Sequence, residues 1–86
     1  MELTHVVARA FSSMAVSIDL ADDGDIDPDI ATDIIEAAAA LFKELSEDDR
    51  RALAAIILEV SELESDPVRK RWMLHLPEEM SLLERE

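Results

Sequence analysis

The sequence predicts an all-α fold: a four-helix bundle-like domain built on a central antiparallel helical hairpin, with a short C-terminal helical extension. Three observations predict it. Apolar residues recur at three- and four-residue steps in four separate stretches, and strand-like alternation is absent. Helix-starting signals, Asp27-Pro28, Ser46 and Asp66-Pro67, stand in front of three of those stretches. Of the 86 residues 49 % are hydrophobic but only 3 % aromatic, so the core must be built from Ala, Leu, Ile and Val with Met as filler, which favours close helix packing.

The first helix is expected over residues 3–20. Leu3, Val6, Val7, Ala10, Phe11, Met14 and Ile18 form its apolar side, and Thr4 is a candidate N-cap. An acidic connector follows, with Asp19, Asp22, Asp23, Asp25, Asp27 and Asp29 around Gly24, the only glycine and therefore the expected site of a positive φ. Asp27-Pro28 opens the second helix, over 28–45, because Asp accepts from free N–H groups and Pro has no N–H to lose. Ile30, Ile34, Leu41 and Leu45 are expected to pack along one stripe, and Ala37 to Ala40 to mark the closest helix crossing.

Ser46 and Asp49 fit a capping box and start a third helix over 47–64, with Leu53, Ile56, Ile57, Val60 and Leu63 on one face. Helices two and three then form the central hairpin. Ile35, Phe42 and Leu58 fall outside its packed face and are the candidate oligomer interface. The fourth helix is expected over 67–76, with Val68, Trp72, Leu76 and either Met73 or Leu74 apolar, and Pro77 ending or kinking it. A short tail helix over 78–84 completes the chain, which reads as a single domain.

Composition limits function. A chain of this length buries only roughly 60–65 % of its unfolded surface, so its stability margin is expected to be thin or helped by self-association. With 21 acidic and 8 basic residues the net charge is −13. A field of that sign repels phosphate backbones and anionic lipid, which argues against nucleic acid and membrane and for a basic protein partner. There is no Cys to form a disulfide or a thiolate metal site, no membrane-length apolar run and no leader-like N-terminus; a soluble, cytoplasmic protein is the expectation.

Chemistry-bearing patterns are weak. With Gly24 at the sixth position of a calcium loop, Asp19, Asp23, Asp25 and Asp27 fall on ligand positions, but Ala21 takes the third and Ile30 replaces the bidentate Glu at the twelfth. The stretch 19–29 reads instead as a solvated connector. His5 and His75 have no metal-ligand spacing, and one glycine cannot build an oxyanion hole or a phosphate cradle of the usual kind. No catalytic residue, metal site or cofactor is therefore assigned, and the chain is expected not to be an enzyme.

The candidate partner-binding residues are Asp22, Asp23, Asp25 and Asp29, with the basic cluster Arg69, Lys70, Arg71 and the adjacent Trp72. Trp72 can be read as an interface anchor with a cationic rim. The reading that weighs more has Trp72 closing one end of the core while the cations neutralise neighbouring acids. In size, acidity and expected helix content the chain is similar to the nuclease-colicin immunity proteins, which are four-helix bundles. It lacks the adjacent tyrosines of their binding helix, having no Tyr at all. The functional expectation is an inhibitor-, immunity- or antitoxin-like module that binds a basic partner. The alternatives are a structural homodimer, a DNA mimic, and a weak cation binder through residues 19–29.

Overall fold

The structure, a computed structural model, describes residues 1–83. Four helices form where the sequence punctuates them: α1 (Leu3–Asp19), α2 (Pro28–Phe42), α3 (Glu47–Ser61) and α4 (Pro67–Glu79). The Asp27 carboxylate accepts from Asp29 N at 2.8 Å, Ser46 Oγ accepts from Asp49 N at 3.1 Å, and Asp66 accepts from Val68 N and Arg69 N at 2.8 and 3.1 Å. Each side chain satisfies N–H groups that a helix start leaves without intrahelical acceptors. In α1 the cap is Glu2, which accepts from His5 N, and Thr4 lies within the first turn.

Helices α2 and α3 end about three residues earlier than expected. Their ends tighten into bonds spanning three residues, Leu45 N to Phe42 O at 3.1 Å, Leu63 N to Val60 O at 3.0 Å and Glu64 N to Ser61 O at 3.1 Å. Acidic side chains at a helix C-terminus oppose its dipole, and in α3 Glu62 and Glu64 stand where they weaken a further regular turn.

The α4 terminus departs more from expectation. Pro77 neither ends nor interrupts the helix, which continues to Glu79. Proline φ is helical, and so near the C-terminus it forfeits only one hydrogen bond. Ser81 then takes a φ of 60°, Ser81 N donates to Glu78 O at 3.1 Å and Leu82 N to Pro77 O at 2.8 Å. This is a Schellman motif, with Pro77 and Leu82 as its accompanying apolar pair. Met80 and Leu82 are thereby buried rather than carried on a fraying tail helix. The end of that expected helix, at residue 84, lies outside the described residues.

The core also sits elsewhere than the α2–α3 hairpin. Helix α3 packs against both α1 and α4, those two also touch, and α2 lies at the side, joined chiefly to α1. Ile57 and Ala54 of α3 meet Val16, Ala8 and Ala15 of α1 and Met73 and Leu76 of α4 in a buried centre completed by Ile35, Met80 and Leu82, and Val60 of α3 is buried as well. The close approach of small residues therefore occurs on α1 and α3, where Ser12 and Ser61 are also fully buried, and not at Ala37–Ala40, of which Ala37 and Ala40 are exposed. Ser61 Oγ satisfies itself on Ile57 O at 2.7 Å.

Two faces are exchanged relative to expectation. On α2, Ile35 is buried and Phe42 packs on the core, its ring 5.2 Å from Phe11 in a T-shaped pair. Ile34 and Leu41 instead face solvent, 45 % and 65 % exposed. Ile35 and Phe42 are thus core residues and not an unpartnered interface; of the three expected interface positions only Leu58 is exposed. On α1, the inward line is Ala8, Ser12, Ala15 and Val16, while Leu3, Val6, Val7 and Met14 are outside.

Candidate protein-binding surface

The acidic connector lies between α1 and α2. Asp22 O accepts from Asp25 N at 2.8 Å and Ile26 N at 3.0 Å, closing a turn from which Asp22, Asp23 and Asp25 project into solvent; Asp29, in the first turn of α2, is exposed too. Gly24 does not adopt a positive φ, and a Cβ there would meet nothing within 4 Å. Its role is therefore not steric. Among the described residues no three His, Cys, Asp or Glu side chains converge on a point where they could hold a metal ion.

The basic cluster divides. Arg69 is drawn into the fold: Nε donates to Glu64 at 2.9 Å, one terminal nitrogen donates to Ser13 O at 2.9 Å and Ser13 Oγ at 3.1 Å, and the other to Ser17 Oγ at 3.3 Å. Lys70 pairs with Glu62 at 2.9 Å. Arg71 and Trp72 remain on the surface, Trp72 at 40 % exposure, so the tryptophan does not close the core. They line a shallow hollow of about 580 Å³ with His75, Glu78 and Glu79.

Trp72, His75 and Glu79 stand three and four residues apart on a continuous helix and share one face. That alignment was hidden in the sequence because Pro77 suggested a break between His75 and the two glutamates. The connector begins beside this hollow, since the Asp19 side chain shares a hydrogen bond with Glu79. Trp72, Arg71 and His75, the glutamates 78 and 79, and the acidic connector thus gather at one end of the bundle.

Burial pushes the Asp19 carboxyl above its ordinary value of 3.8, and the bond to Glu79 opposes that rise. One Asp19 oxygen, Oδ2, is buried and receives no N–H donor among the described residues. A carboxyl with a raised folded-state pKa contributes stability that is complete below its unfolded pKa and lost as pH rises through the folded value. Asp19→Asn imitates the protonated form. Its thermal midpoint is therefore expected above that of the parent protein at pH 7, with the difference vanishing near pH 4 in a pH series of melts; a lower midpoint at pH 7 would contradict this account.

At the opposite end of α1, His5 joins two elements. Its Nδ1 lies 2.5 Å from Glu2 and its Nε2 2.7 Å from Glu59 of α3. Hydrogen bonding first to Glu2 and then to Glu59 raises the imidazole above its ordinary pKa, and the same contact lowers that of Glu2. When protonated, His5 links the two helices with both ring N–H groups used. Among the described residues no helix is long and apolar enough to cross a membrane. No family model, curated protein or solved structure matches the chain.

Proposed function

We propose that this chain is a noncatalytic protein-binding module of the inhibitor, immunity or antitoxin type, and that its acidic end receives a basic partner. The observation that carries the reading is the half-exposed Trp72 in its hollow, bordered by Glu78 and Glu79, at the end from which the acidic connector leaves. Tryptophan is enriched among interface hot spots because it supplies a large rigid contact area, and surrounding carboxylates would steer a cationic surface onto it. Arg71 is the one member of the basic triplet left to this rim, since Arg69 and Lys70 pair within the fold.

The DNA-mimic alternative receives less support. It calls for carboxylates spread along an extended surface, whereas the molecule measures 38 × 29 × 27 Å and six acids are gathered in residues 19–29. The cation-binding alternative likewise lacks converging ligands among the described residues.

The test begins with capture of basic proteins from source lysate, followed by association kinetics with the protein recovered. Replacing Asp22, Asp23, Asp25 and Asp29 together by Asn is expected to slow association at least about tenfold at low salt and to leave helix content unchanged. Asp27 is left out because its carboxylate caps α2. Binding should also shift the emission of Trp72, the only tryptophan. An unchanged association rate together with unchanged emission would refute the reading.

A further inference from the structure

The exposed apolar residues of α1 and α2 are not scattered. Leu3, Val7, Ala10 and Met14 follow one another at steps of four, three and four residues, and all are exposed. Ile30, Ile34, Ala37 and Leu41 repeat those steps on α2 and are exposed as well. This is the d-a-d-a spacing of a coiled-coil seam, over two heptads in each helix, with Ala at the third place in both. Each helix already has a separate inward side, Ala8, Ser12 and Ala15 in α1 and Ile35 and Phe42 in α2. The seams are therefore surplus to the packing of one chain.

Their charge surroundings differ. Residues 3–18 contain no acidic side chain, although the chain has 21, and Arg9 has no carboxylate partner among the described residues. On α2, at 100° per residue, Asp33 flanks the seam about 70° from its centre, and Glu36 lies further round on the same side. Two α2 seams face to face would oppose these carboxylates, whereas an α1 seam brings no acidic side chain to them and has Arg9 at its edge, in a hollow shared with Val6 and the seam residue Ala10. At their observed exposures the six larger seam residues and Val6 expose on the order of 700 Å² per copy, an upper limit to what they can bury, against about 800 Å² buried per partner in a standard interface. A hollow of about 330 Å³ lined by Met1, Val6, Arg9, Ala10 and Ser13 adds relief to the α1 side.

We propose that two copies of this chain pair through these seams, α1 of each lying on α2 of the other. The arrangement is isologous, so one contact is made twice, and it leaves Trp72 and the acidic end outside the interface. It keeps the two acidic surfaces apart while the acid-free side of α1 is covered. The surface differs from the one expected around Ile35 and Phe42, which the fold has used internally.

Sedimentation equilibrium of the full chain tests it, with circular dichroism as the check on folding. The parent protein is expected to be dimeric at about 100 µM, above the micromolar limit at which weak interfaces of this size dissociate. Val7→Glu and Leu41→Glu, at positions already in water, should give folded monomers. Arg9→Glu should weaken the dimer at least about tenfold, and adding Asp33→Lys should restore part of the loss, a response that generalised stickiness would not give. A parent protein monomeric at that concentration overturns the proposal. So does a dimer that persists in both glutamate variants, or a monomer in which Leu41→Glu abolishes capture of another protein, which would assign the seam to that protein.

Discussion

Replacing Ile57 with alanine is expected to lower the stability of the bundle by roughly 3–4 kcal/mol. Ile57 has no exposed surface and lies on α3, the helix that packs against both α1 and α4. The cavity cannot be filled by one neighbour moving in, because Val16 around the centre is held by α1 and Met73 and Leu76 by α4. A domain of this length has a total stability of about 4–13 kcal/mol at the usual value per residue. The loss is thus a large fraction of the whole, and the melting temperature should fall by about 15–25 °C. Ile34→Ala, an equal truncation on α2, should cost less than about 0.5 kcal/mol in dilute solution because Ile34 faces water. Urea unfolding of both variants checks the pair. A cost below about 1 kcal/mol for Ile57→Ala, or an equal cost for the two, would place the core wrongly.

That contrast shows what could be read in the sequence and what could not. Helix positions were legible because their starts are punctuated by residues with one local use: Asp27, Ser46 and Asp66 each cap a helix in the structure. Helix facing was less legible. In α2 the apolar residues span more than half of the circumference, and periodicity does not say which half a neighbour will cover. In α1 the bulky side chains Leu3, Val7 and Met14 dominate the pattern, yet the buried line is Ala8, Ser12 and Ala15. Small residues permit the close approach of α1 to α3, a gain that a count of hydrophobic bulk misses.

Backbone exceptions were misplaced for a related reason. Gly24 advertised a positive φ that the connector does not use, while Ser81 adopts one because the Schellman hydrogen bonds and the burial of Leu82 outweigh its local cost. At the candidate surface, the exposure of the Asp residues was legible from composition, but the gathering of Trp72, His75 and Glu79 depends on a helix passing through Pro77. The division of the basic triplet depends on which cations α1 and the α3–α4 connection can reach. Neighbouring positions in the sequence cannot show that.

Arg69 is where that division has its largest expected consequence. Arg69→Ala should destabilise the protein by about 2 kcal/mol, within the range for charge-assisted hydrogen bonds in partly buried sites. The guanidinium and the Glu64 carboxylate it meets are each about three-quarters shielded, which keeps the pair from full solvent screening. Truncation removes more than an ion pair: Ser13 O and the hydroxyls of Ser13 and Ser17 lose a donor that ties α1 to the start of α4. Arg69→Lys should recover less than half of the loss, because a single ammonium cannot reproduce a planar fork that reaches Glu64 on one side and Ser13 on the other. Urea unfolding gives both values, and a cost below about 0.5 kcal/mol for Arg69→Ala would show the network to be energetically idle. A second readout separates this structural duty from recognition. Under conditions where the variant remains folded, its partner association rate should match that of the parent protein, whereas Trp72→Ala should bind at least about tenfold more weakly, as expected of an interface anchor. Equal losses at both positions would return Arg69 to the partner surface.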